Sequence, residues 1–252
     1  MGNRNVSKYG WHRDIPDFRD YSFSLNATVV LPPKVDLTAN CPAVYNQGQL
    51  GSCTANAICG AVEFDFLKQG HEDIMPSRLF VYYNERLMEG TVKFDAGAQI
   101  RDGIKTVANQ GVCRETSWKY DITKFKRKPS AFCYKSALTN LVTSYQRLPQ
   151  NLNTLKQCLA EGFPFVFGFA VYESFETQEV ANTGVAIMPI PNDTMLGGHA
   201  VMCVGYDDST QRFIVRNSWG TNWGNNGYFT IPYQYLTNLG LAADFWTIRT
   251  VL

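Results

Sequence analysis

Gln47-Gly48-Gln49-Leu50-Gly51-Ser52-Cys53 is the stretch on which the reading of this chain turns. Its glycines keep the backbone thin, so that another chain can come close. Ser52 stands as a candidate N-cap for a helix over Cys53–Gln69, which Gly70 would close. Along that helix Ala57, Ile58, Ala61, Val62 and Phe66 recur at helical spacing. A cysteine in a first helical turn meets unpaired N–H groups and a partial positive charge, and both favour thiolate over thiol. The thiolate is the reactive species, so the placement suits a nucleophile. An inert buried cysteine is the bland reading of the same residue.

A nucleophile of this kind needs a base, and the chain holds 3 histidines. His12 lies in the N-terminal segment and His71 in the turn Gly70-His71-Glu72-Asp73, where both read as solvent-exposed. His199 follows Gly197-Gly198 and opens the apolar run Ala200–Tyr206, at the mouth of a buried strand. Asn217, in Arg216-Asn217-Ser218-Trp219-Gly220, closes a second strand-like run. Its amide oxygen can accept an imidazole N–H and so fix the ring's tautomer and plane. Trp219 beside it would keep water from that bond. A turn asparagine, a core tryptophan and a structural histidine are the alternatives for each residue taken alone.

The remaining sequence bounds these readings. The chain has 252 residues, 45% hydrophobic and 18% charged, enough for one large domain or two packed lobes without a metal or disulfide staple. With 23 basic and 22 acidic residues it carries no electrostatic footprint for nucleic acid or an anionic membrane. Lys124–Lys128, the densest basic patch, reads as a solvated loop. Phe163–Tyr172, the most apolar run, falls well short of the ~20 residues that span a bilayer. The first residues lack the apolar core of a signal peptide, and Val6 breaks the acylation pattern. Sequons at Asn5, Asn26 and Asn192 are short matches of little weight. Seven cysteines leave at least one thiol unpaired; if Cys53 is free, the others could form up to three bridges. No C-x-x-C pair occurs, so neither a metal nor another cofactor is expected.

Residues 1–35 read as an extended arm ending at Leu31-Pro32-Pro33, and its Trp11, Phe18 and Tyr21 suggest docking on a surface. Helices are expected over Arg78–Met88, Ala98–Asn109 and Ala131–Val142, and a fifth runs from an Asn151 cap to Glu161. Strand patterns follow at Phe165–Tyr172, His199–Tyr206, Arg212–Asn217, Tyr228–Ile231 and Phe245–Val251, with a turn at Asp207-Asp208-Ser209. This is an α+β pattern with a helical lobe over about 36–145 and a β-rich lobe over about 146–252.

Three blocks together resemble the papain family of cysteine peptidases: Q-G-x-x-G-S-C at Gln47–Cys53, G-H-A-V at Gly198–Val201, and N-S-W-G-T-x-W-G-x-x-G-Y at Asn217–Tyr228. The order agrees as well, with His199 inside the family's spacing of about 130–150 residues after the cysteine and Asn217 a little beyond it. The resemblance covers residues 35–252. It implies a two-lobed fold, helical lobe first and β-barrel-like lobe second, with the cleft between them. It implies that Cys53 attacks the scissile carbonyl, that His199 protonates the leaving amine and that Asn217 orients His199. By the same carry-over, Gln47 and the Cys53 N–H form the oxyanion hole, Trp219 shields the Asn217–His199 bond and Trp223 lines the leaving-group side. Gly97 and Gly198 would bind substrate backbone. Polypeptides are the implied substrates, and a lysosome-like or secreted setting the implied compartment.

Departures from the family pattern are visible too. Leu50 replaces the cysteine that usually braces the active-site loop, Thr54 replaces the aromatic after the nucleophile, and the segment before the enzyme proper is far shorter than the usual propeptide. The arm is therefore expected to pack on the enzyme and limit access to the cleft. No His-His pair marks a dipeptide-removing relative, so endopeptidase action is expected. The pocket for the side chain two residues before the cut would use Gly197, Gly198 and residues near Ala242–Asp244: apolar if Ala243 lines it, accepting a basic residue if Asp244 does. Exopeptidase action and a catalytically silent fold are the alternatives. A transglutaminase-like enzyme would want Asp in place of Asn217, and Cys53 and Cys59 lie on different helix faces, which disfavours a thiol redox pair.

Overall fold

A computed structural model of the protein describes residues 9–26 and 28–252. The acylation pattern, the Asn5 sequon and the reading of the extreme N-terminus lie outside the described residues. The chain enters through strand β1 (Trp11–His12) and reaches β2 (Lys34–Asp36). Helices α1 (Cys53–Lys68), α2 (Arg78–Met88), α3 (Ile100–Asn109) and α4 (Ala131–Ala137) follow, with β3 (Ala98–Gln99) leading into α3. Next come β4 (Val142–Arg147), α5 (Leu152–Ala160), β5 (Phe165–Tyr172) and α6 (Gln178–Thr183). The chain finishes with β6 (Met195–Asp207), β7 (Arg212–Arg216), β8 (Tyr228–Pro232), α7 (Tyr233–Thr237) and β9 (Ala242–Val251).

Local chemistry sets most helix starts. Ser77, Ser130 and Asn151 each accept the backbone N–H three residues on, which satisfies a donor the helix leaves open. Ser52 behaves differently. It stands before α1, but its hydroxyl bonds the Tyr120 hydroxyl and the Asn56 amide rather than capping the helix. The helix expected over Ala131–Val142 stops at Ala137, because Asn140 turns the chain. Its N–H returns to the Ala137 carbonyl and its side chain donates to the Val112 carbonyl, freeing Val142 to open β4.

Helix α1 is buried on every side from Cys53 to Phe66. It lies between α2 and α3 on one flank and β6 and β9 on the other. Small residues allow this: an added Cβ on Gly60 would stand 2.6 Å from the Arg216 guanidinium. Strand β5 shows why the sheet serves two cores. Phe165, Phe167 and Phe169 point to one face, where they join Phe213, Phe229 and Phe245. Val166, with Ala200, Met202 and Trp246 from neighbouring strands, faces α1.

The sheet is antiparallel in the order β4-β9-β5-β6-β7-β8, with β2 on the far end of β6. The barrel-like closure expected for this lobe is not made: among the described residues, β4 and β8 do not pair with each other. Other segments cover those edges instead. Ser22 bridges to Arg147 on β4, and Val185 to Thr230 on β8. All 7 cysteines are unpaired, and every one except Cys41 is buried. No helix among the described residues is long and apolar enough to cross a membrane.

Candidate active site

Cys53 opens α1, and β6 brings Ala200, the residue after His199, against its thiol. The Cys53 thiol lies against backbone N–H groups of Ala200, Gly10 and Thr54, and it has no exposed surface. Burial pushes this thiol up to about 11, although those three N–H groups favour the thiolate. In this closed form desolvation therefore outweighs the helix-start effect read from the sequence.

His199 is likewise fully buried. Its Nε2 donates to Asn217 Oδ1 at 2.9 Å, and the same oxygen accepts the Ser218 N–H at 2.8 Å. Trp219 stacks on the imidazole at 5.0 Å and 25°, and Phe169 meets it edge-on at 5.8 Å. Burial pushes His199 down to about 4, with the Asn217 bond acting the other way. Its Nδ1 has no hydrogen-bond partner among the described residues. Burial thus favours the neutral form of both the thiol and the imidazole.

Gln47 is buried and cross-braced. Its Nε2 donates to the Leu50 carbonyl at 3.0 Å, its Oε1 accepts the Ser218 hydroxyl at 2.7 Å, and its N–H bonds the Ser218 carbonyl at 2.8 Å. Trp223 stands one ring behind the histidine, edge-to-face on Trp219 at 4.9 Å.

What fills the groove is the arm. Tyr9 lies edge-on to His199 at 5.9 Å and reaches Trp219 at 6.4 Å. Gly10 passes over the thiol between two other glycines. A Cβ on Gly10 would fall 1.8 Å from the Gly51 carbonyl oxygen, and one on Gly97 would fall 2.1 Å from the Gly10 oxygen. Strand β1 pairs with β3 in parallel, anchored by Ala98 N–H donating to the Gly10 carbonyl at 2.7 Å. Trp11 then turns into a pocket, where a Cβ on Gly198 would stand 2.6 Å from its ring. The residues expected to bind substrate backbone, Gly97 and Gly198, are the ones the arm lies on.

Beyond Trp11 the arm is latched electrostatically. Asp14 is buried; its Oδ2 accepts the Trp246 indole N–H at 3.0 Å and its Oδ1 the Arg101 N–H at 3.1 Å. Its own N–H donates to Asp244 Oδ2 at 2.8 Å. Asp20 pairs with Arg101 at 2.6 Å and with Arg147 at 2.9 Å, and Arg147 reaches Asp244 at 3.1 Å. Of the aromatics expected to dock, Trp11 does so and Phe18 and Tyr21 do not. Trp11 and Phe23 are buried, whereas Phe18 and Tyr21 are 98% and 68% exposed. Asp17 and Arg19 pair with each other at the surface. Sequence reasoning also missed Gly168 in β5, whose Cα the Trp11 ring lies on. A glycine inside an otherwise bulky strand was the available signal for such close approach.

A sequence profile described as papain family cysteine protease matches residues 31–246. The chain belongs to the papain family of cysteine proteases. An uncharacterized peptidase C1-like protein of Acanthamoeba polyphaga mimivirus is 44% identical over 245 residues, covering 94% of this chain and 76% of its own length. Digestive cysteine proteinase 1 of Homarus americanus is 30% identical over 211 residues, or 80% of this chain and 61% of that enzyme. Among solved structures, xylellain, a cysteine protease from Xylella fastidiosa, superposes with a TM-score of 0.91 at 47% identity, covering 100% of this chain and 99% of xylellain. The digestive procathepsin L 3 of Tenebrio molitor shares the papain fold at 20% identity and a TM-score of 0.70, over 90% of this chain and 73% of its own.

Proposed function

We propose that this papain-family protein is a cysteine endopeptidase that its own N-terminal arm holds shut. The observation that carries the reading is the buried His199–Asn217 bond at 2.9 Å, on a strand whose next residue lies against the Cys53 thiol. When the groove opens, His199 Nδ1 takes the thiol proton and the sulfur adds to a peptide carbonyl. The Cys53 N–H and the Gln47 side-chain amide bond the oxyanion. The proton passes to the leaving amine as the C–N bond breaks, and water then releases the acyl group from sulfur. Endopeptidase action is supported by the arm itself, because the groove holds backbone on both sides of the thiol, from Tyr9 to Asp14.

An epoxide-type thiol probe tests the assignment. Labelling is expected at Cys53 in a Trp11→Ala protein, slowed about 10²-fold or more when His199 is also replaced. Labelling spread over other thiols, or indifferent to His199, counts against it.

The latch gives arm docking a pH dependence. Burial, with the Asp244 charge opposite, pushes Asp14 up to about 6, while the bonds from Trp246 and Arg101 oppose the rise. A free arm returns it to the ordinary carboxylate value of about 3.9. Docking is thus fully favoured below about 4, and the benefit is lost as pH climbs through 6, by up to ~10²-fold. Asp20 acts oppositely. Burial alone would raise it, but Arg101 and Arg147 hold it low, so its contribution is lost as pH falls through the acid range. Asp14, set against Asp20, thus has the arm sit most tightly near pH 4–6 and loosen toward neutrality. His199, pushed down to about 4 while covered, instead weakens docking as pH falls below about 6.5. Dividing the peptide turnover of the unaltered chain by that of Trp11→Ala removes the pH profile of the chemistry. Measured again with Asp14→Asn, the same quotient keeps the His199 contribution and loses that of the carboxyl. The unaltered chain's quotient is expected to climb more steeply between about pH 5 and 7.5 than that of Asp14→Asn, and equal slopes would contradict the latch.

A further inference from the structure

The pocket that holds Trp11 is shaped by two features outside the catalytic residues. Gly168 forms its floor: an added Cβ would fall 1.9 Å from Trp11 Cε2 and 2.3 Å from Nε1, so the indole lies flat on bare backbone. Gly168 stands opposite Ala200 on β6 and Ala243 on β9, which keep the surroundings small. Asp244 closes the far end, with Oδ2 accepting the Trp11 Nε1–H at 3.1 Å. That carboxylate is aimed with some effort: Asp244 has φ of 60°, in the left-handed region, and Arg147 holds its other oxygen at 3.1 Å. A buried acceptor with a directed partner discriminates far more strongly than an apolar wall does.

We infer that this pocket selects peptide substrates with tryptophan two residues before the scissile bond. The inference rests on the peptidase reading, and it makes Gly168 and Asp244 specificity-determining residues. Gly168 supplies the depth that a broad flat ring requires, and Asp244 supplies the acceptor for its edge N–H. A leucine or valine side chain would leave that acceptor unmet, at a cost mutational data place well above that of a missing methylene. Lysine and arginine could meet the carboxylate but would not cover the flat glycine floor.

The test uses the full chain carrying Trp11→Ala, with fluorogenic peptides that differ only at this position. Tryptophan is expected to give a kcat/KM at least about tenfold above leucine, valine and arginine. The 1-methyltryptophan peptide, which keeps the ring but lacks the donor, should fall about tenfold or more. Adding Gly168→Val should lower the tryptophan rate by about 10²-fold while the leucine and valine rates fall much less, which reverses the order. Cleavage that prefers leucine or valine, or treats tryptophan and 1-methyltryptophan alike, overturns the pocket assignment and leaves the peptidase reading standing. No cleavage of any peptide overturns the peptidase reading. Calorimetry with a blocked tryptophan peptide on the Cys53→Ala, Trp11→Ala protein then judges the pocket separately: selective binding over the 1-methyl analogue supports it, and none rejects it.

Discussion

Replacing His199 with Ala in the Trp11→Ala background is expected to cut hydrolysis of a peptide amide by roughly 10⁴-fold or more. Nothing else in the groove can replace it. The other histidines, His12 and His71, are exposed, and His12 is committed to the Ala96 carbonyl. Without an acceptor, the Cys53 thiol has no route to thiolate other than bulk base. The substitution also opens a hole under Trp219 and leaves Asn217 Oδ1 with only the Ser218 N–H, so a thermal melt must accompany the rates. Cys53→Ser provides the near-isosteric control and should fall comparably with the fold intact. Retention of more than about a tenth of the activity by either folded variant would remove the pair from the mechanism.

The second large effect runs the other way. Trp11→Ala should raise peptide hydrolysis by the unaltered enzyme by about 10²-fold near neutral pH. Truncating a buried tryptophan typically costs about 3–5 kcal/mol, and about 3 kcal/mol shifts a closed-to-open equilibrium by roughly 10². Because Trp11 contacts the enzyme through the arm, the loss falls on docking while the rest of the fold keeps its own cores. Phe23 and the Asp20 pairs with Arg101 and Arg147 still hold the following residues in place. Trp11→Phe keeps the ring but loses the bond to Asp244, and should give an intermediate rise. Unchanged rates in both variants would show that the arm does not limit access.

What the sequence revealed, and what it withheld, follows from the range of the interactions. The helix starting at Cys53, the strand opening at His199 and the Asn217 block are local patterns. Helix α1 and the end of β7 stand where those patterns put them, whereas β6 opens earlier, at Met195, and holds His199 inside it. The His199–Asn217 bond was legible because residue type, order and spacing leave it few alternatives. The arm was harder. Its aromatics announced that something docks, but only the folded groove distinguishes Trp11 from Phe18, because the partners Gly168, Gly198 and Asp244 are brought together from three strands. The open sheet edge escaped for the same reason, since Ser22 reaching Arg147 is a contact no periodicity encodes. The state of the thiol is also a tertiary property. A helix start argues for charge, and only the covering Gly10 shows why this resting form withholds it.

One consequence follows from the parallel pairing of β1 with β3. In a productive complex the residue in the Gly168 pocket comes before the cut, and the leaving amine departs past His199 and Trp219. The arm travels the opposite way, meeting Tyr9 at the histidine first and Trp11 at the pocket last. Its polarity puts amide nitrogens where the sulfur would need carbonyl carbons, so a seated guard is not consumed by the enzyme it guards. On the proposed reading, removal of the arm by proteolysis would fall to a second copy, and activity is then expected to appear sooner in a concentrated solution than in a dilute one.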